Sequence, residues 1–239
     1  MIEAKLPMRW SCFGRVDNIT PRLADLMAEA GCRAVYFGVE SGDDSILKAM
    51  RKDYDVADIR RGVPIARKAG ILAVGSFFVG YPGETEETVR NTRDLIEEVG
   101  FDLFVVGTLW VDRNAPLWER REEYGLTGRG AQWHHRTMDS ARAEALSERL
   151  TRELLARNAT RLGSEFSVAQ LVTLGLDYDE AFRYVLDKGL LTNARVAQAD
   201  RVPLDRFSRS ELERAGRDYE RLTLKIADLS RPYFAPAAA

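Results

Sequence analysis

The sequence predicts an α/β fold in which a parallel sheet is followed by a helical region. Short apolar runs alternate with amphipathic stretches in the order β-α-β-α-β-α-β over residues 9–110. This alternation is typical of a parallel sheet, open or barrel-like, with helical crossovers. Near residue 137, long charged helical patterns replace the apolar runs. We therefore expect two parts, residues 1–136 around the sheet and residues 137–239 as an α-helical appendage.

Four apolar runs are the predicted strands, at Arg9–Phe13, Ala34–Val39, Ile71–Val79 and Leu103–Leu109. The second is apolar on both faces, as a parallel strand buried between two layers requires. In such folds ligands bind at the carboxyl ends of the strands. The loops that follow these runs are therefore the expected binding region.

Capping residues and glycines place helices between the strands. Thr20-Pro21 is typical of a helix start, and Gly31 of a helix end. Asp55 and Thr85 are suitable N-caps for later helices. Similar patterns predict helices in the second part at Ser140–Leu162, Val168–Leu174, Asp179–Asp187 and Ser210–Leu229, with a frayed Ala-Pro-Ala-Ala-Ala end.

Composition excludes several classes of protein. The chain has 239 residues, of which 45% are hydrophobic and 30% charged, an ordinary globular profile. A net charge of −2 gives nucleic-acid binding no overall driving force. No apolar run is long enough to span a membrane, and the first residues have no signal-peptide core. The expected location is the cytoplasm.

The metal-binding residue types are sparse. Two cysteines, Cys12 and Cys32, exclude a disulfide framework and cannot supply the ligands of an ordinary iron–sulfur cluster. We expect both to be buried, unreactive thiols. The only histidine cluster is Trp133-His134-His135, where adjacent side chains diverge, so we predict a packed or surface loop and no metal site.

Two predicted strand ends carry polar residues between glycines. Gly38-Val-Glu-Ser-Gly42 presents Glu40, which could bind a ribose diol or an ammonium group, although a solvent-exposed turn gives the same pattern. Gly80 and Gly83 frame a turn into a helix N-terminus, which suits a polar or anionic ligand, although such turns are common.

The other two strand ends are less specific. Arg15 could bind a carboxylate through both guanidinium nitrogens, or simply pair with Asp17 at the surface. The run Phe104–Leu109 could lay its backbone against a flat heterocycle, or be only a core strand. Arg51 and Lys52 could face the same edge of the sheet, but the pattern favours a solvated helix end.

Taken in order, four segments resemble the radical S-adenosylmethionine (SAM) superfamily, in particular the group that often carries a cobalamin-binding domain. They are Trp10–Asp17, Ala30–Gly42, Ile46–Lys52 and Phe78–Thr85. The resemblance implies a partial (β/α)6 TIM-like barrel, represented by about its last four strands, that binds SAM across the strand ends.

The resemblance also implies roles for individual residues. Glu40 and Ser41, followed by Gly42, occupy the position that holds the methionyl amino group or the ribose. Val79, Gly80 and the Pro82–Glu84 turn match the motif that packs on the adenine side. The last strand, with Val106, Thr108 and Leu109, matches one whose backbone contacts adenine. Arg15 matches an arginine of variable role. No catalytic residue is assigned.

One departure from the family, the lack of its cluster-binding loop, indicates that the chain is only part of the enzyme. The family holds a [4Fe-4S] cluster with a C-x3-C-x2-C loop after its first strand, and this sequence has no such loop. Its first recognisable strand matches the family's third. We therefore expect the cluster ligands and two strands on polypeptide that precedes Met1. The sequence leaves open whether the parent enzyme also uses cobalamin, since a domain for it would lie upstream as well.

Three hypotheses follow. The first is that the chain is the C-terminal part of a radical SAM enzyme, separated from the rest by a split gene, a misplaced start codon or truncation. The complete enzyme would act on an unknown small molecule by methylation, cyclisation or rearrangement. The second is a non-catalytic SAM- or nucleotide-binding protein, or a subunit that completes a split barrel with a polypeptide carrying the cluster loop. The third is an unrelated α/β enzyme with Glu40 as acid or base, ranked last because the sequence shows no nucleophile–base pair.

Overall fold

The computed structural model describes residues 2–3, 6, 8–156, 167–203 and 207–234. It has two compact units, Met1–Leu154 and Leu155–Ala239. The domain boundary predicted near residue 136 stays a prediction; a small sheet and most of the helix that follows it lie in the first unit. Within the described ranges, no helix combines the length and apolar character needed to cross a membrane.

The first unit contains the predicted parallel sheet. Its strands are β1 (Trp10–Gly14), β2 (Cys32–Glu40), β3 (Leu72–Val79) and β4 (Leu103–Thr108). They lie in sequential order and all neighbouring pairs are parallel. The α/β prediction is therefore confirmed, and the four strands end at the same edge of the sheet.

Helices connect consecutive strands, as predicted. They are α1 (Pro21–Glu29), α2 (Asp44–Ala49), α3 (Val56–Lys68) and α4 (Glu86–Val99). Thr20, Asp55 and Thr85 are their N-caps where the sequence placed them. Asp55 and Thr85 each form reciprocal hydrogen bonds with the third helical residue, which stabilises the helix start.

The two faces of this sheet differ in burial. Side chains alternate between faces along a strand, and paired residues share a face. Phe37 pairs with Gly75 and Gly75 with Phe104, in a row whose two phenylalanines are fully buried. On the other face Phe13, paired with Tyr36, is 79% exposed. One face is therefore a packed core, and the other is open near β1.

A second sheet follows β4 and was not predicted. Short helices α5 (Pro116–Glu119) and α6 (Arg121–Tyr124) lead into the antiparallel strands β5 (Thr127–Arg129), β6 (Gln132–His135) and β7 (Met138–Asp139). The loop predicted at Trp133–His135 was wrong, because strands of two to four residues are too short to show a hydrophobic period.

Helix α7 (Ser140–Ala156) follows the small sheet, and the rest of the predicted Ser140–Leu162 helix lies outside the described residues. The second unit contains α8 (Ser167–Thr173), α9 (Tyr178–Ala199) and α10 (Arg209–Phe234). The prediction ended α9 at Asp187, whereas the helix continues to Ala199. The predicted frayed end, residues 235–239, also lies outside the described residues.

Candidate functional site

A carboxylate, an ammonium group and a phenol meet where β2 ends. The Lys52 Nζ lies 3.1 Å from the Glu40 Oε1, and both side chains are about three-quarters buried, at 27% and 24% exposure. The Tyr54 hydroxyl donates a 2.6 Å hydrogen bond to the Gly38 carbonyl oxygen. Residues from the loop after α2 therefore hold the end of β2 and the Glu40 side chain.

The backbone at Glu40 is unusual. Its φ of 70° lies in the left-handed region, which costs a non-glycine residue about 1 kcal/mol or more. The pairing of β2 with β3 shifts register between Gly38 and Glu40. Such irregularities re-aim a side chain, and strained backbone occurs often at functional sites. This geometry presents Glu40 at the strand end rather than in the regular sheet.

Arg15 lies in the same cluster. Its guanidinium donates two hydrogen bonds to Asp17, at 3.1 and 3.0 Å, so the surface pair considered from the sequence is present. Its Cζ also lies 5.6 Å from the centre of the Tyr54 ring, and Lys52 Nζ lies 5.7 Å from the same centre. Burial raises the pKa of the Tyr54 phenol, which stays protonated.

Ser41 and Gly42 contact helix α4. Ser41 is fully buried, and its Oγ lies 3.4 Å from the Thr92 Oγ1. The Gly42 N–H donates to that same Thr92 oxygen at 2.8 Å. A Cβ on Gly42 would lie 2.5 Å from the Thr92 Cα, so glycine permits the close approach of loop and helix. The observed contacts of both residues position the loop that carries Glu40.

The turn after β3 is held at both ends by polar groups. The Gly80 N–H donates to the buried Glu84 carboxylate, and His135 Nε2 lies 2.9 Å from the Gly80 carbonyl oxygen. The Gly83 N–H donates to Thr137 Oγ1 at 3.0 Å, and that oxygen lies 3.1 Å from His135 Nδ1. Because a carbonyl only accepts, Nε2 carries the proton in this arrangement.

Trp133 joins the ends of β3 and β4. Its indole stacks on the His135 ring with centroids 5.0 Å apart. Its Nε1 donates a 2.7 Å hydrogen bond to the Leu109 carbonyl, while the Leu109 N–H donates to the Val79 carbonyl at 2.8 Å. A Cβ on Gly80 would lie 2.5 Å from the indole. The small sheet thus packs directly against two strand ends.

The predicted site residues on β3 and β4 are largely buried. Val79, Val106 and Leu109 are less than 10% exposed, whereas Thr108 is half-buried. The Ser147 hydroxyl lies 3.5 Å from the Val106 carbonyl oxygen. The structure therefore brings all the predicted residues to one edge of the sheet. Glu40 and Arg15 present charged side chains there, and the ligand contacts of all the predicted residues stay predictions.

The two thiols are held in their protonated form. Burial raises the pKa of Cys12 and raises that of Cys32 to about 12, so both are protonated at neutral pH. Among the described residues, no group of three or more His, Cys, Asp or Glu side chains is placed to hold a metal ion.

Comparison with known proteins identifies the sheet region. The model of the radical SAM superfamily matches residues 2–96, which contain β1 to β3 and most of α4. Over residues 2–96 the chain is therefore similar to the radical SAM superfamily. This superfamily uses SAM and a [4Fe-4S] cluster. The segments in which the sequence resembled the family all lie within the matched range.

The chain resembles radical SAM enzymes over part of their length. It is 34% identical over 116 residues to an uncharacterized methyltransferase of Pyrococcus horikoshii, a match that spans 48% of this chain and 25% of the relative. It is 34% identical over 104 residues to the ribosomal protein uS12 methylthiotransferase RimO of Heliobacterium modesticaldum, with 42% of this chain and 23% of the relative covered. The chain thus spans about a quarter of these relatives.

Solved structures agree on the fold. Coproporphyrinogen III oxidase (HemN) of Escherichia coli, a radical SAM enzyme, matches with a TM-score of 0.50 and 18% identity over 70% of this chain and 38% of that chain. At this identity the match shows the fold alone, an α/β fold with a parallel sheet. Other matching structures include radical SAM enzymes with bound cobalamin.

Several residues of the strand-end region were missed or undervalued from the sequence. The sequence predicts a solvated helix end at Lys52 and a loop at His135, and it indicates no role for Tyr54 or Thr137. A left-handed residue after α2, Arg51 with φ 60°, turns the chain so that Lys52 faces Glu40. No periodic signal in the sequence marks such a turn.

Glu84 makes a pH-dependent contribution to stability that can be measured. Burial raises its pKa from the ordinary 4.5 to about 7, so the folded chain favours the protonated acid. That contribution is complete below pH 4.5 and is lost as the pH rises through 7. Glu84→Gln removes this loss. The free energy of unfolding of the variant minus that of the wild type should therefore increase by about 2 kcal/mol from pH 5 to pH 8.

Chemical denaturation at several pH values tests this expectation. Burial lowers the pKa of His135, which makes the fold less stable as the solution is acidified, the opposite of the Glu84 effect. Subtracting the free energy of unfolding of the wild type from that of the variant at each pH cancels this His135 effect. Glu87→Gln, at an exposed position in the first turn of α4, is the matched control and should show no shift. A Glu84→Gln difference that does not change with pH would contradict the assignment.

Proposed function

We propose that this chain supplies SAM-binding strand ends to a radical SAM enzyme whose cluster ligands lie on other polypeptide sequence. The observation that carries the proposal is the Glu40 carboxylate, which lies at a strand end inside the family-matched region. Its left-handed backbone and the Lys52 ion pair fix it there at a cost in backbone strain. A costly, well-held carboxylate is typical of a ligand-binding position.

The residues present fit SAM. SAM carries an ammonium group and a ribose diol, both of which donate hydrogen bonds to a carboxylate. Among the described residues, Lys52 donates a hydrogen bond to Glu40 Oε1, and Glu40 Oε2 remains as an acceptor for a ligand. Gly38 is exposed, and a Cβ there would lie 2.9 Å from Glu40 Oε1, so the glycine leaves room for the Glu40 carboxylate. Arg15 adds a cation at the same edge.

The residues present do not fit the cluster. The sequence contains two cysteines, and the family's loop needs three. Cys12 and Cys32 alone cannot complete that set of ligands. In this proposal the chain supplies no complete ligand set for the cluster, and the ligands belong on other polypeptide sequence.

In this proposal the role of the chain is to bind SAM and fix its orientation. When bound beside a reduced cluster, SAM supplies the radical chemistry that activates a C–H bond. Glu40 fixes the orientation of the cofactor, Lys52 restrains Glu40, and the turn at Gly80 supplies a rigid wall. Methyl transfer to an unreactive carbon of a small molecule is the favoured reaction, since curated relatives include methyltransferases and methylthiotransferases. Cobalamin fits this reaction as a further cofactor of the complete enzyme.

Titration calorimetry with SAM tests the proposal. Glu40→Gly deletes the carboxylate and relieves the strain of the left-handed backbone. A loss of SAM binding in this variant therefore cannot be caused by a loss of stability. We expect SAM affinity to fall by about tenfold or more, with a Tm equal to or above that of wild type. Glu87→Gln is the control and should bind like wild type. Equal affinities of Glu40→Gly and wild type, or no binding by wild type, would contradict the proposal.

A second candidate is a subunit that completes a split barrel. The observation that favours it is apolar exposure beside β1, a terminal strand of the sheet. Phe13 on β1 and Leu23 and Leu26 on α1 are all exposed by more than 40%. A partner polypeptide carrying the cluster loop would cover these side chains. Co-purification of the two chains from one host, lost on Phe13→Ser with Leu26→Ser, is the result this candidate predicts.

A further inference from the structure

We propose that a surface pocket beside Trp110 binds a small molecule with a flat aromatic ring and an anionic group. The pocket follows the end of β4 and has a cavity volume of about 630 Å³, enough for a two-ring ligand. The proposal does not depend on SAM binding. The lining is formed by two segments of the first unit, residues 110–113 and 129–132.

The aromatic part of the ligand is inferred from Trp110. This indole is 69% exposed, although tryptophan is the side chain that gains most from burial. Gly130 lies beside the ring, since a Cβ built there would lie 3.4 Å from the indole, and its lack of a side chain leaves that part of the ring uncovered. An exposed indole at the edge of a cavity offers a stacking surface to a planar ligand.

The anionic part is inferred from two arginines. Arg113 and Arg129 line the pocket, and neither forms an ion pair in the part of the chain that the structure describes. Arg113 instead lies over the Trp118 ring, with its Cζ 5.5 Å from the centre. One carboxylate is also present, Asp112, which accepts a 2.8 Å hydrogen bond from the Asn114 N–H. The pocket lining therefore carries a net charge of +1. Each guanidinium group can donate two parallel hydrogen bonds to a phosphate or a carboxylate.

The walls of the pocket are fixed before a ligand arrives. Val111 and Gly130 exchange two backbone hydrogen bonds, of 2.9 and 2.8 Å. Gly130 has a φ of 58°, which lets this bridge close where the chain turns away from β5. The bridge holds the Trp110 segment beside the Arg129 segment. A preformed site loses little conformational entropy on binding, which favours specific recognition.

Calorimetry with defined probes tests the proposal on the full chain. 2-Naphthyl phosphate and 2-naphthoate combine the ring with phosphate and carboxylate, respectively, whereas inorganic phosphate and 2-naphthol each carry one half. We expect the combined probes to bind at least about tenfold more tightly than either half, since ring and charge contacts add. The stronger of the two combined probes identifies the anionic group. Their affinity should fall with added salt, and that of 2-naphthol should not.

Variants assign the binding to the pocket. Trp110→Ala should weaken the combined probes about tenfold, and Trp110→Phe much less, because a ring remains. Arg113→Gln and Arg129→Gln should each weaken them about fivefold without affecting 2-naphthol. Arg22→Gln, an exposed arginine on α1, is the control. Circular dichroism checks that each variant folds. No binding by wild type, or binding unaffected by Trp110→Ala and both arginine changes, would overturn the proposal.

Discussion

Replacing Gly80 with alanine should lower the free energy of unfolding by about 3 kcal/mol, because the substitution adds both strain and overlap. The backbone φ of 111° is one that an alanine rarely adopts. The added Cβ would also lie 2.5 and 2.6 Å from two atoms of the buried Trp133 ring and 3.0 Å from the Ala143 Cβ. These neighbours are packed and cannot move aside cheaply.

Gly70→Ala separates the two causes. Gly70 also has a positive φ, of 79°, but a Cβ there has no atom within 4 Å. We therefore expect this control to cost only about 1 kcal/mol, from backbone strain alone. Denaturant titration of both variants gives the comparison. Equal losses for Gly70→Ala and Gly80→Ala would show that Trp133 does not pack on the strand-end turn as described.

Trp133→Ala should be the most destabilising of the changes considered, at about 4 kcal/mol. The indole is 5% exposed, stacks on His135 and donates to the Leu109 carbonyl. Truncation leaves a cavity under Gly80 and an unsatisfied carbonyl at the end of β4. Both strand ends lose the side chain that joins them.

Trp133→Phe isolates the hydrogen bond. A phenyl ring retains much of the packing but cannot donate to Leu109, so we expect a loss of about 1–2 kcal/mol. Thermal and chemical denaturation of both variants measure the difference. If Trp133→Phe costs as much as Trp133→Ala, the hydrogen bond and not the packing dominates, which would contradict the description of the turn.

The sheet was predictable because burial on both faces leaves a strong mark on sequence. Runs such as Ala34–Val39 are apolar at successive positions, and strong N-caps such as Asp55 and Thr85 separate them from the helices. These signals are local, so they can be read from one sequence. The position of Glu40 at a strand end was predictable for the same reason, since glycines lie on both sides of it where an apolar run ends.

The supporting contacts were not predictable because they join residues far apart in the chain. His135 reaches Gly80 across 55 positions, and Thr92 reaches Gly42 across 50. Each donor or acceptor is an ordinary polar residue in its own segment, and only the fold brings it to the strand end. The same holds for the Trp110 pocket, whose two lining segments meet through the bridge between Val111 and Gly130.

Hydrogen–deuterium exchange with and without SAM tests most directly whether the carboxyl ends of the parallel strands bind the cofactor. At saturating SAM, we predict slower exchange in peptides that contain residues 38–42 and 79–81, and unchanged exchange in α8 to α10. Glu40→Gly should abolish the protection at the same SAM concentration. Protection confined to other segments, or unchanged exchange throughout the first unit at saturating SAM, would contradict the account.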